Sequence, residues 1–172
     1  MQTLIEQSLA FNFPDNWIVT KYDDWSFYRN QFKDCCKGCK AVDFLAIDPV
    51  GGDLWLIEVK DYRNYRRAKE DNMWDEMAIK VLHTLSGLVA VKINNSDLMN
   101  DFANECFKCS NLKVVLHLEQ PKKNSKLFPR AYDPANVKEK LRQLIKPIHA
   151  HPKVTEMGMM NRVAWMVNSV ET

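Results

Sequence analysis

The fold the sequence predicts is an α/β domain on a mixed sheet, and three stretches predict it. Residues 41–47 and 54–60 are apolar strands flanking a turn of Asp48, Pro49, Gly51 and Gly52, which makes an antiparallel pair. From about residue 66 to 91 the period becomes helical, with Met73, Met77, Val81 and Leu88 on one broad stripe. Residues 112–118 then read as a further strand. A long helix between two strands suits a right-handed crossover, so the strands at 54–60 and 112–118 should run parallel. Both faces of the central strands are apolar, so helices are expected on both faces of the sheet.

The other elements are placed around this frame. Residues 1–10 predict a short helix with Leu4, Ile5, Leu9 and Ala10 on its apolar side and Glu6 beside it. Pro14 breaks that run, and residues 17–22 follow as a first strand. Residues 23–34 carry Trp25, Phe27, Tyr28 and Phe32, which need burial on either an extended arm or a short helix. A short helix is expected after Ser96 or Asp97, and residues 121–132 form a basic loop. Asp133 and Pro134 are a capping residue and a first-turn proline, and Val137, Leu141, Leu144, Ile145 and Ile148 line the helix they start. Residues 163–170 are expected to add an edge strand. The whole of 1–172 is read as one domain, with a core at 1–118 and a helix-strand extension at 119–172.

Composition narrows the functional classes. With 46% hydrophobic and 27% charged residues the chain is an ordinary globular sequence, and its apolar runs are too short to span a membrane. No secretory leader is read at its start, so a cytoplasmic protein is expected. Net charge is only +2, yet positives cluster at Arg63, Arg66, Arg67 and Lys69, at Lys122, Lys123, Lys126 and Arg130, and from Lys138 to Lys153. Such clusters are either solvated faces or a stripe for a phosphate backbone.

The chemistry concentrates on the hairpin. Side chains two apart on a strand share a face, so Glu58 and Lys60 emerge together, about 7 Å apart along the strand, while Val59 enters the opposite layer. Antiparallel pairing brings Asp43 to about 5 Å laterally from that strand. Two converging carboxylates at the edge of an apolar sheet repel each other and pay for burial unless compensated. A divalent cation compensates both, and oxygen-only donors favour magnesium or manganese over zinc. The chemistry that follows is metal-assisted phosphodiester hydrolysis. Lys80, at the rim of the helical stripe, either reaches this site or snorkels at the surface.

Asp43, fourteen intervening residues, then Glu58-Val59-Lys60, set within this order of elements, resembles the PD-(D/E)xK nuclease superfamily. Val42 stands where the motif's name has proline. The resemblance implies a restriction-endonuclease-like fold and a nuclease, with DNA expected over RNA. It implies that Asp43, Glu58 and the Val59 carbonyl ligate the metal and that Lys60 positions or deprotonates the attacking water. Some members add a glutamate from the first helix, where Glu6 stands, and a lysine on the crossover helix, where Lys80 stands. Arg63, Arg66 and Arg67 follow the active strand and are the expected phosphate contacts. The alternative is a catalytically inactive nucleic-acid-binding or assembly subunit on the same fold. A homodimer and a motor or defence-system partner are the expected routes to specificity.

Cys36-x-x-Cys39 and Cys106-x-x-Cys109 match the count of a four-thiolate zinc site. The first pair, however, precedes the strand carrying Asp43 and the second precedes a strand starting at the opposite sheet end, roughly 20 Å away. Reduced thiols are therefore expected in place of zinc.

Overall fold

A computed structural model of the chain describes residues 1–64, 72–94, 100–122 and 130–170. Strands β1 (Gln2–Glu6) and β2 (Leu9–Phe13) form an antiparallel hairpin where a helix was expected. Leu9, Phe11 and Phe13 alternate inward and are fully buried, a period of two that outweighs the helical spacing of Leu4, Ile5 and Leu9. The turn at Gln7 and Ser8 carries no glycine, yet Gln7 adopts a φ of 53°, as the first residue of a two-residue hairpin loop requires.

The central sheet contains β3 (Ile18–Lys21), β4 (Phe44–Asp48), β5 (Asp53–Asp61), β6 (Asn111–Glu119) and β7 (Lys153–Thr155), hydrogen-bonded in that order. The β3-β4 and β4-β5 pairs are antiparallel, while β5-β6 and β6-β7 are parallel, so the sheet is mixed as expected. At the β4-β5 turn Asp48 Oδ1 accepts from the backbone N–H groups of Val50 and Gly51, both at 3.0 Å, and Gly52 supplies a φ of +66°.

Helix α1 (Met73–Asn94) and helix α2 (Asn100–Cys106) connect β5 to β6. Helix α3 (Pro134–Ile145) is capped by Asp133, whose Oδ1 accepts from Ala135 N at 3.0 Å. One sheet face packs Leu45, Leu56 and Val114 against Met77, Val81, Leu88, Leu141 and Ile145 of the helices.

The expectation of helices on both faces is corrected on the other side. There a second sheet, β1-β2-β8 with β8 at Met166–Ser169, closes the core. Phe11, Phe13, Trp165 and Val167 pack onto Trp17, Phe44, Trp55, Ile57 and Val59. Trp55 and Trp17 stack at 6.1 Å, and Trp165 meets Trp55 edge-on at 5.2 Å. An apolar strand face demands an apolar cover, and a sheet of alternating aromatics satisfies it as well as a helix. Residues 119–172 thus contribute β7 to the central sheet and β8 to the small one.

Gly87 of α1 lies against the Tyr22 side chain just past β3: a Cβ there would lie 2.0 Å from Tyr22 Oη. No helix among the described residues is long and apolar enough to cross a membrane.

Candidate active site

Asp43 immediately precedes β4, and Tyr22 N donates to its carbonyl at 2.9 Å, locking it beside the end of β3. Its Oδ2 accepts from Val59 N at 2.6 Å, so the neighbouring strand orients the carboxylate. Glu58 and Lys60 face α1, and their side chains meet, with Lys60 Nζ 2.6 Å from Glu58 Oε1. Val59 turns into the inter-sheet core. Lys80, one turn after Glu76 on α1, also reaches Glu58 Oε1 at 2.6 Å and lies 3.9 Å from Asp43 Oδ1. Asp43, Glu58, Lys60 and Lys80 therefore share one site.

Glu6 joins them from an unexpected element. It ends β1 instead of riding a helix, and one oxygen each from Glu6, Asp23 and Asp43 lie within 4.8 Å of one another. Lys21 pairs with Glu6 at 2.8 Å. On the far side Glu76 is buried 3.6 Å from Lys60. Among the described residues, five carboxylates and the ammonium groups of Lys21, Lys60 and Lys80 thus gather around the site.

The energetic consequences appear at named atoms. Glu58 is 0% exposed and its Oε2 has no hydrogen-bond partner among the described residues, and Asp23 Oδ1 is likewise buried without one there. Burial, then the Glu58 charge, pushes the Asp43 carboxyl well above its ordinary range, against the opposing pull of Lys80 and the Val59 N–H. Burial and then Glu6 raise Asp23 in the same direction. Burial works against the Lys60 ammonium, but the Glu58 charge and hydrogen bond outweigh it and hold the proton more tightly than usual.

A cleft of about 420 Å³ opens onto this site, with Asp43, Lys60, Glu76 and Lys80 among its inner residues and Arg29, Lys33 and Lys40 among its outer ones. These three cations, with Asp23 and Glu76, were not singled out from the sequence. Asp23 was legible in principle, because it follows the strand that pairs with β4. Glu76 was also legible, lying four residues before Lys80 on the same helical face.

Arg63 is placed elsewhere. Its guanidinium donates to Asp61 at 2.9 and 2.6 Å, to Ser8 at 2.8 Å and to Ser169 at 2.6 Å, clasping β5 to the small sheet. It is not among the residues that line the cleft. Arg66 and Arg67 lie outside the described residues.

The cysteine pairs stay apart. Cys106 and Cys109 line a groove with Leu54 and Leu112 at the start of β5 and β6, while Cys36 and Cys39 lead toward Asp43. Burial raises the thiols of Cys39, Cys106 and Cys109 above their ordinary value.

Comparison with known proteins adds one relative. The chain is 32% identical over 213 aligned residues to the cysteine--tRNA ligase of Neisseria meningitidis serogroup A / serotype 4A (strain DSM 15465 / Z2491). The match takes in 98% of this chain and spans 30% of that protein. No family model matches the chain. No solved structure matches it.

Proposed function

We propose that the chain is a divalent-metal-dependent nuclease that hydrolyses phosphodiester bonds, with a restriction-endonuclease-like core and DNA as its polymer. The observation that carries this reading is the convergence of Asp43, Lys60 and Lys80 on a cleft with Glu58 buried behind them, one of whose oxygens meets no donor among the described residues. The donor set fits a hard cation, since every candidate ligand beside Asp43 is a carboxylate oxygen. Asp43 and Glu58, with the Val59 carbonyl, would hold magnesium or manganese, and Glu6 and Asp23 offer further oxygens next to Asp43. When bound, such a cation supplies Lewis acidity and a field that offsets charge gathering on the phosphate.

The chain's own residues do the rest. Lys60, beside Glu58, keeps its proton, which makes it a donor and electrostatic clamp for a phosphate oxygen or the attacking water. Lys80 holds Glu58 in place and contributes a second positive charge at the same oxygen. Lys33 and Lys40 provide positions for flanking backbone phosphates, while Arg29 is paired with Asp24 at the same rim.

A second reading has a specific observation behind it. The Neisseria relative is named for a reaction on tRNA, which favours an RNA-binding module that does not cut. Incubating the chain with linear, nicked, branched and single-stranded DNA and with RNA, in magnesium or manganese, separates the two. Metal-dependent cutting of DNA, lost in folded Asp43→Asn, Glu58→Gln and Lys60→Met, supports the nuclease. Tight RNA binding without cutting under any ion supports the module.

A further inference from the structure

The basic stretch from Lys138 to Lys153 has no part in the cleft around Asp43. In the fold its two ends meet. Helix α3 brings Lys138, the approach to β7 brings His151, β7 brings Lys153, and the loop after β7 brings Asn161 and Arg162. With Val154 they line a pocket of about 310 Å³ at the β7 edge of the central sheet, and none of them lines the Asp43 cleft. Lys153 lies on the Trp55 side of that sheet, whereas Lys60 reaches Glu76 of α1 on the other.

Two contacts fix Lys153. Its Nζ donates to the Arg162 carbonyl at 3.0 Å and lies 5.3 Å from the centre of the Trp55 ring. The Asn161 side-chain amide donates to the Val154 carbonyl, tying the loop back onto β7. Asn161 and Arg162 both take left-handed backbone, with φ of 47° and 59°, and that reversal sets Arg162 beside Lys153.

The pocket lacks a counter-charge. Among the described residues no carboxylate pairs with Lys138, Lys153 or Arg162, while Asp53 pairs with Lys113, Glu139 with Arg142 and Glu156 with Arg130. The repulsion registers at Lys153, whose ammonium is held below its ordinary range by burial, then by Lys113 and Arg162, with Lys138 adding to them against Asp53. A solvated basic face spreads its cations apart. Here three elements converge theirs on one concavity, which focuses a positive field where an anion can sit.

We propose that this pocket binds a phosphate group. Phosphate turns several oxygens toward separate donors, and the Arg162 guanidinium and the two lysines offer it charge-assisted hydrogen bonds from different sides. Trp55 is buried beneath Lys153, so it offers no face for a base and the site reads the phosphate itself. A free nucleotide and a polynucleotide share that chemistry. The inference does not rest on the nuclease reading.

Titrating the isotope-labelled 172-residue chain with inorganic phosphate, in chelator and at constant ionic strength, tests it through the backbone amide resonances. The expected result is saturable shifts at His151, Lys153, Asn161 and Arg162, with a dissociation constant of about 1 mM or tighter. Lys138→Gln and Arg162→Gln, both at exposed positions, should each weaken binding by about tenfold and keep the parent's melting temperature. Lys140→Gln makes the same charge change on α3 outside the pocket and should leave binding as it was. Asp43→Asn should also leave it as it was, so failure of the cleft chemistry and failure of this site are distinct results.

Adenosine 5′-monophosphate and a short duplex DNA identify the source. The monophosphate binding more tightly than phosphate, with DNA affinity equal in parent and Arg162→Gln, assigns a free nucleotide. A DNA salt slope lowered by about 0.9 in Arg162→Gln assigns a polynucleotide, and neither change assigns inorganic phosphate. No saturable shift at the four residues up to about 20 mM phosphate, or a Lys140→Gln effect as large as that of Arg162→Gln, would overturn the proposal.

Discussion

Lys80 on the crossover helix and Glu58 on the central strand meet at 2.6 Å, on the same Glu58 oxygen that Lys60 holds at 2.6 Å. One buried carboxylate thus joins α1 to β5 and keeps two ammonium groups within the cleft. Either lysine alone can compensate Glu58, whereas removing Glu58 takes the shared 2.6 Å partner from both, leaving Lys60 only Glu76 at 3.6 Å and Lys80 only Asp43 at 3.9 Å among the described carboxylates. Glu58→Ala should therefore cost about 3–5 kcal/mol, and Lys60→Met or Lys80→Met alone about 1–3 kcal/mol. The double lysine variant should lose more than the two singles added together, measured by urea unfolding in a double-mutant cycle.

Asp43→Asn should separate stability from function. The carboxylate is buried next to Glu58 and held protonated beyond its ordinary range, so the neutral amide relieves repulsion. The metal-free variant should melt at or above the parent. Magnesium at about 100 times its dissociation constant should raise the parent's stability by about 2.7 kcal/mol and leave the variant unchanged. Calorimetry in chelator and in magnesium checks both halves.

The outer cleft cations should set nucleic-acid affinity. Replacing Lys33 or Lys40 with alanine should weaken binding without sequence preference and lower the salt slope by about 0.9 per lost phosphate contact on duplex DNA. Arg63→Ala should leave that slope unchanged and destabilise the fold, because its donors are spent on Asp61, Ser8 and Ser169. Anisotropy titrations at several salt concentrations distinguish the two outcomes.

How much of this was legible in the chain follows from the range of each interaction. Glu58 and Lys60 were readable because a strand period of two and a Pro/Gly turn are local, and they carried Asp43 with them. Glu6 was placed correctly near the site but on the wrong element, since Gln7 and Ser8 form a hairpin without the glycine or asparagine that usually announces one. The small sheet was hidden because β8 pairs with β2 across most of the chain, and an apolar strand face does not say whether helix or sheet will cover it. Asp23 and Glu76 could be reached only through neighbours already placed, Asp23 from the strand it follows and Glu76 from Lys80 one turn later on α1.

Gly87 and Tyr22 offer a test of packing. Gly87→Ala forces a Cβ to 2.0 Å from Tyr22 Oη and should cost about 1–3 kcal/mol. Tyr22→Phe removes that oxygen, whose hydroxyl has no hydrogen-bond partner among the described residues, and should restore most of the loss in the double variant. Denaturant midpoints of the four proteins give the answer.

His149 should shape the acid limb of stability. Burial, then Lys113, His151 and Lys153, lower its imidazole from about 6.5 to about 4, and its neutral Nδ1 accepts from Val114 N at 3.0 Å. Between those values the unfolded chain binds the extra proton, so stability falls as pH drops from 6.5 toward 4. His149→Asn keeps a neutral acceptor and should flatten that part of the curve, followed as melting temperature against pH.

The central claim is that Asp43 and Glu58 share a hard cation. Crystals grown with manganese and measured at its absorption edge test it directly. The account predicts an anomalous peak at oxygen-coordination distance, about 2.0–2.3 Å, from both Asp43 and Glu58. Manganese absent from the cleft, with Lys60 and Lys80 still closed on Glu58, would contradict it.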